Sequence, residues 1–370
     1  MFLLIKDSYK TLVAGIKLKD IFEKGLELHD IGPCATYEFI SEDDLVSAIH
    51  ELSKLYIYQR EQLGRKELTP RLATAYLYLY FTSNIPKLFK LLNYLPKVLI
   101  EKIAAQPWMD FGAGPGTYTL AWYAWLSAQK LPFPKQSLLI EQDKAMMSIA
   151  NKVLDQFLHH EEILVTNNID QKKLEDATLF FGHSCNEVSL DELLRLIKDA
   201  APRFLIFLEP GTPEVFKKML DIRSHLLNRG YQIHYPCLQQ KPCPMKNQDN
   251  WCHQYVHLRF TNSVDRLTQL TNLRRQHSAV IFHVYEKIEN KIITNNLSHY
   301  RIIQGPEQNK GAWTWQVCNE NGDLVWFESL TRQYNKEQLK FLELKVPGEI
   351  FSEVEIQKEL KPHHYRVLVS

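Results

Sequence analysis

An α/β fold with a doubly wound parallel sheet is predicted for this 370-residue chain by three observations. Short apolar runs alternate with amphipathic stretches between residues 107 and 287. A glycine-rich turn joins the first run to the stretch that follows it. Two later helices carry explicit start signals. Alternation of this kind predicts parallel strands joined by crossover helices.

The apolar runs are Trp108–Phe111, Leu138–Glu141, Ile163–Thr166, Thr178–Gly182 and Phe204–Glu209, and the helical stretches lie near 117–130, 144–158, 190–199 and 213–229. Ser189-Leu-Asp-Glu192 reads as a capping box, in which serine and glutamate side chains satisfy backbone N–H groups at a helix start. Thr212-Pro213 is a capping hydroxyl followed by a first-turn proline.

Residues 1–105 read as helical, residues 106–298 as the α/β domain with a cysteine-rich insertion at 236–253, and residues 299–370 as a small β-rich C-terminal module. In the first segment, Ser41-Glu-Asp-Asp44 places acids in a first turn, and Leu45, Ile49, Leu52 and Leu55 recur at helical spacing. Thr69-Pro70 starts another helix, and Pro86 and Pro96 punctuate two more. Tyr76, Tyr78 and Tyr80 read as packing residues. In the last segment, Trp313–Cys318 and Asp323–Phe327 flank the hairpin-like turn Asn319-Glu-Asn-Gly322, and Leu339–Val346 and Tyr365–Val369 read as further strands.

Apolar residues make up 45% and charged residues 24%, so the chain has enough apolar surface for a substantial core. The net charge of +1 gives no general attraction for nucleic acid, so any such surface is a local patch. Lys217, Lys218, Arg259, Arg266, Arg274 and Arg275 are candidate phosphate contacts. The opening run Met1–Lys6 is too short for a signal-peptide core, and no stretch approaches the ~20 apolar residues that cross a bilayer. A monomer in the cytoplasm, with no membrane partner, is expected.

The turn reads Asp110-Phe-Gly-Ala-Gly-Pro-Gly-Thr117. Glycines at 112, 114 and 116 permit a sharp turn and close approach of a ligand to the backbone. Nicotinamide and flavin sites favour Gly-x-Gly-x-x-Gly, with a diphosphate on the helix N-terminus. Here the third glycine comes one position early and an acid precedes the first, which suits S-adenosylmethionine, a ligand without a diphosphate. The predicted fold is therefore that of a class I S-adenosylmethionine-dependent methyltransferase, a Rossmann-like sheet. Asp110, Gly112, Ala113, Gly114, Gly116 and Thr117 form the cofactor loop. Glu141, at the end of the second strand, is the candidate for the ribose hydroxyls, with Asp143 and Met146 on the adenine side.

Methyl transfer needs a positioned acceptor and sometimes a base or nucleophile. The stretch after the fourth strand is Gly182-His-Ser-Cys-Asn-Glu187, without the Asn-Pro-Pro-Tyr or Asp-Pro-Pro-Tyr typical of enzymes that modify amino groups on bases. His183 as a base, Cys185 as a nucleophile toward a pyrimidine, and Asn186 and Glu187 are the catalytic candidates. The competing reading makes Cys185 a small buried apolar residue in a turn shaped by its neighbours.

Cys237, Cys243 and Cys252 fall within sixteen residues, and Cys318 beside the hairpin turn is the best fourth ligand. Four thiolates suit zinc or an iron–sulfur cluster. Structural zinc favours cysteine pairs two to four residues apart, which are missing here; wide spacing with neighbouring prolines leans toward iron–sulfur. Unrelated free thiols remain the plain alternative.

The chain resembles the methyltransferase-like ribosomal small-subunit assembly family, known as mitochondrial proteins with bacterial counterparts. The likeness covers roughly residues 65–325 and rests on Asp110–Thr117, Leu208-Glu-Pro-Gly-Thr-Pro213, Cys237…Cys243-Pro…Trp251-Cys-His253, and Arg301-Ile-Ile-Gln-Gly-Pro306 leading to Cys318. Leu238 stands where the family tends to have proline, and Arg71–Tyr76 lacks an expected proline. The resemblance implies a four-iron, four-sulfur cluster on Cys237, Cys243, Cys252 and Cys318, S-adenosylmethionine at the loop and Glu141, and association with the small ribosomal subunit or its rRNA. It also implies that members act with or without methylating rRNA. The other function considered is methylation of a small molecule or protein, with structural zinc on the cysteines.

Overall fold

The computed structural model describes residues 16–58, 67–158, 163–168, 176–288 and 299–369. The Met1–Lys6 run lies outside the described residues. The chain forms two compact units, Met1–Phe204 with Val256–Ser278 and Leu205–Tyr255 with Ala279–Ser370. This division cuts across the three consecutive segments expected from sequence, because the chain crosses between units within the α/β region.

In the first unit, helices α1 (Leu18–Lys24), α2 (Leu28–Ile31), α3 (Glu42–Tyr58), α4 (Pro70–Tyr76), α5 (Thr82–Leu92) and α6 (Lys97–Ala104) precede the sheet. Helix α3 begins where Asp44 N donates to Ser41 Oγ, and α4 where Leu72 N donates to Thr69 Oγ1. Pro86 does not punctuate a helix boundary; it lies inside α5. A π-helical turn at Leu77–Phe81 leads into α5, and the hydroxyls of Thr82 and Ser83 donate to the carbonyls of Tyr78 and Leu79. The irregular hydrogen bonding is thus taken up by side chains beside the proline.

Strand β1 (Trp108–Phe111) is followed by α7 (Thr117–Gln129), β2 (Ser137–Ile140), α8 (Lys144–Phe157), β3 (Ile163–Thr166), β4 (Thr178–Gly182) and α9 (Leu190–Ala200). The strands lie in the order β3-β2-β1-β4, and all three pairings are parallel. Strand order reverses between β1 and β4, which opens a crevice at their carboxyl ends. Helix α7 is buried at every position from Thr117 to Leu126, so it is apolar all round rather than amphipathic. Helices α1 and α5 pack against it. The unit also contains α11 (Asn262–Leu270).

The second unit holds nearly all of β5 (Phe204–Pro210), then α10 (Pro213–Asn228), β6 (Tyr231–Tyr235) and most of β8 (His277–Lys287), in the order β5-β8-β6. The β6–β8 pairing is antiparallel. Four parallel strands ordered 3-2-1-4, and a following set closed by an antiparallel strand, are the parts of a class I methyltransferase fold. The short strand β7 (Gln254–His257) lies between β6 and α11 in sequence.

A six-stranded sheet follows, ordered β12-β9-β10-β11-β14-β13, from β9 (Tyr300–Asn309), β10 (Ala312–Asn319), β11 (Leu324–Leu330), β12 (Ile350–Phe351), β13 (Val354–Lys361) and β14 (His364–Val369). Trp315, Val317, Phe327, Phe351 and Val367 fill its core. The turn at Asn319 forms as expected: Gly322 has φ +83°, and Asn319 Oδ1 accepts from the N–H groups of Asn321 and Asp323. Leu339–Val346 is not a strand. Helix α12 (Lys336–Glu343) occupies most of it, started by an Asn335–Gln338 capping box, and buries Leu342. The alternation of Leu342, Leu344 and Val346 resembles a strand, but the cap upstream decides.

Candidate functional site

The cofactor loop emerges from β1 because three alternate positions take left-handed backbone. Gly112, Gly114 and Gly116 have φ of +66°, +56° and +79°. A Cβ at Gly112 would lie 2.6 Å from Ser184 Cβ, so that glycine lets the β1 and β4 loops touch. Ser184 Oγ donates to Phe111 O at 2.6 Å and fixes the contact. A Cβ at Gly114 would meet nothing within 4 Å. Gly114 therefore fronts open space, as a glycine that admits a ligand to the backbone should.

The acids around the loop have separate tasks. Asp110 is 1% exposed and accepts a 2.8 Å hydrogen bond from Thr119 Oγ1, which itself accepts from Trp108 Nε1. Burial raises the Asp110 pKa to about 7. Its carboxyl thus holds the strand to α7 and does not face solvent. Glu141 Oε2 accepts from Gly114 N at 2.7 Å, and Oε1 accepts from Gln142 N and Asp143 N at 2.8 Å each. Burial raises its pKa against those three donors. Asp143 caps α8: one oxygen accepts from Met146 N and the other from Leu68 N. Met146 is buried, as is Ala113. Thr117 Oγ1 is buried without a hydrogen-bond partner. An open cradle at Gly114, an unpartnered hydroxyl and the Glu141 carboxylate fit a ligand carrying hydroxyl and amino groups.

At the end of β4, His183 has φ +62° and stacks on Tyr118 with ring centroids 6.0 Å apart. Cys185 is 0% exposed, Asn186 half-buried and Glu187 exposed. Across the same unit, Tyr76 and Tyr80 stack at 5.4 Å with Tyr56 beside them. Burial is the main cause of the raised Tyr76 hydroxyl pKa, and Glu187 and Glu141 add to it. The tyrosines are packing residues on the apolar cluster of α3 and α4.

All four sequence-predicted cysteine ligands belong to the second unit. The proline-rich loop is tied down: Gln240 Oε1 accepts from Ile233 N, Gln240 Nε2 donates to Ile233 O, and Met245 is buried. Lys241 Nζ donates to Asn321 O at 3.1 Å, and a side chain at Gly322 would come within 3.5 Å of Gln239. The loop therefore lies against the hairpin turn that follows Cys318 at the end of β10. Burial raises the Cys318 thiol pKa, and Cys237, Cys252 and Cys243 add to it. The Cys243 thiol is pushed up to about 12, chiefly by burial and then by Cys237. Each of the four is half-buried.

Among the described residues, no group of three or more His, Cys, Asp or Glu could hold a metal ion. His253 Nδ1 is instead paired with the Trp251 carbonyl.

Of the basic candidates, Arg275 is committed inward, donating to Ser83 Oγ and Asn84 Oδ1 and lying over the Tyr80 ring. Arg266 pairs with Glu42 at 2.8 Å. Lys217, Arg259 and Arg274 are exposed and Lys218 is half-buried. Two other arginines, Arg223 and Arg301, are buried among the cysteines, and nothing in the charge pattern singles them out. The available signal is that Arg223 occupies an apolar-face position of α10, four residues after Met219.

A profile of the family described as "Mitochondrial small ribosomal subunit Rsm22" matches residues 71–336, which span the glycine loop and all four cysteines. None of the curated proteins compared with the chain matches it. Among solved structures, the chain is similar to magnesium protoporphyrin IX methyltransferase of Synechocystis PCC 6803 with bound S-adenosylmethionine. That likeness is 13% identical, covers 68% of this chain and 100% of that one, and has a TM-score of 0.34. It is similar to precorrin-6y C5,15-methyltransferase of Geobacter metallireducens, 13% identical over 52% of this chain and 86% of that one, TM-score 0.33. It is also similar to M. capricolum TrmK in complex with S-adenosyl-homocysteine, 9% identical over 54% and 71%, TM-score 0.31. No helix among the described residues is long and apolar enough to cross a membrane.

Proposed function

The chain belongs to the Rsm22 family, and from that premise we propose that it is an S-adenosylmethionine-binding, iron–sulfur methyltransferase-like protein acting with the small ribosomal subunit and its rRNA in the cytoplasm. The observation that carries the reading is the open cradle at Gly114, facing Glu141, inside the matched region. Gly112, Ala113, Gly114, Gly116 and Thr117 line the methionine side of the cofactor. Glu141 accepts the ribose hydroxyls, for which it exchanges backbone donors. The cofactor supplies an electrophilic methyl group when bound.

Cys237, Cys243, Cys252 and Cys318 hold a four-iron, four-sulfur cluster. What supports this reading is four half-buried thiols supplied by a pinned loop and its neighbouring hairpin. The cluster's role here is structural. A colourless wild-type protein after anaerobic purification and reconstitution would remove the cluster from this proposal. Cys243→Ser is expected to lose absorbance near 400 nm; if it keeps full colour, the ligand set is wrong.

Covalent chemistry through Cys185 is not part of the proposal, since that side chain is fully buried. Co-sedimentation with small subunits at moderate salt tests the partner, and failure to co-sediment would overturn it. Tritium transfer from labelled S-adenosylmethionine to isolated subunits distinguishes an rRNA methyltransferase from a binding protein that keeps the fold.

A further inference from the structure

Arginine stays protonated in proteins, so a buried guanidinium must find negative charge nearby or cost several kcal/mol. Arg223 on α10 is 1% exposed and Arg301 on β9 is 4% exposed. Neither has an ion pair with a carboxylate among the described residues. Their neighbours are cysteines instead. Arg223 Nε donates to Cys237 Sγ at 3.3 Å, and its Nη2 donates to Gln239 O at 3.1 Å. Arg301 Nη1 donates to Gly348 O at 2.9 Å and to Tyr235 Oη at 3.4 Å, and Cys252 is among the groups that raise the Arg301 pKa. Tyr235 lies under the Arg301 guanidinium, 5.3 Å from ring centroid to carbon.

Each cation also has a donor left over. Arg223 Nη1 and Arg301 Nε are buried without hydrogen-bond partners. Both guanidiniums lower the pKa of the Cys237 thiol and of buried His283, against which burial acts first in each case. Unpaired buried donors of permanent charge indicate a missing anion.

We propose that Arg223 and Arg301 are the built-in counter-charge of the cysteine site, holding an anionic cluster and setting its reduction potential. The inference rests on the cluster reading above. Four thiolates on a four-iron, four-sulfur core of charge two plus carry two net negative charges, and two guanidiniums balance them. One-electron reduction adds a third negative charge, so the arginines stabilise the reduced form more than the oxidised one. Net charge and hydrogen bonds to the sulfurs are the levers that set such potentials. Both arginines are positioning residues, acting through the cluster.

The test is a dithionite titration of the full-length, anaerobically reconstituted protein, followed by electron paramagnetic resonance, with iron content measured in parallel. Arg223→Gln and Arg301→Gln are each expected to disfavour reduction at least tenfold at fixed potential, about 59 mV for a one-electron couple. Arg223→Lys and Arg301→Lys keep the charge and should stay within threefold of wild type. Loss of iron from the glutamine variants alone, with the lysine variants loaded, is also an expected result. Should Arg223→Gln fail to fold, the Arg301 pair carries the same comparison. Glutamine variants that load fully and titrate as wild type overturn the inference and leave the cluster standing. Lysine variants that shift as far as the glutamine ones overturn it too. A wild type without iron–sulfur absorbance removes the cluster, and this inference with it.

Discussion

Replacing Gly114 and Gly112 by alanine separates ligand binding from stability, because the same change meets different surroundings at the two positions. At Gly114 the new Cβ contacts nothing within 4 Å, so the cost is backbone alone. A residue with a side chain at φ +56° costs about 1–2 kcal/mol, partly offset by about 0.4–1 kcal/mol from a stiffer unfolded chain. A net loss near ~1 kcal/mol lowers the melting temperature by only a few degrees in a chain of this size. The methyl group nevertheless stands where the cofactor approaches the backbone. Affinity for S-adenosylmethionine should fall at least tenfold, equivalent to about 1.4 kcal/mol. At Gly112 the Cβ would lie 2.6 Å from Ser184 Cβ, whose side chain is pinned to Phe111 O. Overpacking of about 1–3 kcal/mol adds to the backbone cost there. Calorimetric titration with S-adenosylmethionine and thermal denaturation read the two effects separately. A Gly114→Ala protein that binds within twofold of wild type would refute the assignment of this loop to the cofactor. A Gly112→Ala protein as stable as Gly114→Ala would refute the described packing of the β1 and β4 loops.

Asp110→Asn should change the pH dependence of stability. Burial raises the folded pKa from 3.8 to about 7, so between those values the folded chain keeps a proton that the unfolded chain releases. Wild-type stability therefore falls as pH rises through that window, by up to ~4 kcal/mol above pH 7. The variant is neutral throughout, so its melting temperature should gain on wild type between pH 5 and 8; a constant difference contradicts the burial argument. Glu141→Gln removes the charge that accepts three backbone donors, and the expected result is about tenfold weaker cofactor binding with about 1–3 kcal/mol less stability, by titration and denaturation. Unchanged affinity would free Glu141 from the ribose role. Cys185→Ala should leave labelled-methyl transfer, where wild type shows any, unaltered; a folded variant that loses transfer makes that thiol catalytic after all.

The parts legible in sequence are those decided locally. The capping box at Ser189 forms, with Ser189 Oγ accepting from Glu192 N, and Thr212 Oγ1 accepts from Val215 N. The glycine loop was legible because positive φ restricts residue choice at each position. Pro86 misled because proline punctuation is a statistical rule, while the preceding π turn depends on where Thr82 and Ser83 hydroxyls reach. The helix at Lys336–Glu343 was hidden by short-range alternation that its own cap overrides. The division into two units follows pairings distant in sequence, which no window of residues contains. Arg223 was invisible for the same reason: its environment is assembled from residues 237, 239 and 283 rather than from its helix neighbours.

The distribution of the cysteines gives the proposed cluster a mechanical role. Three ligands lie in the stretch Leu205–Tyr255 and the fourth in Ala279–Ser370, the two pieces of chain that make the second unit. A cluster on all four bridges Cys252 to Cys318 across 65 intervening residues, adding to contacts such as Lys241 to Asn321 and Asn250 to Gln304. Closing a loop of that length removes several kcal/mol of unfolded-chain entropy in the same way as a covalent cross-link. Ligands that meet only in the folded chain make cluster binding part of folding free energy. Loss of the cluster would thus weaken the second unit through its longest connection. It would also leave two buried guanidiniums without an anion, so the two effects would act in the same direction.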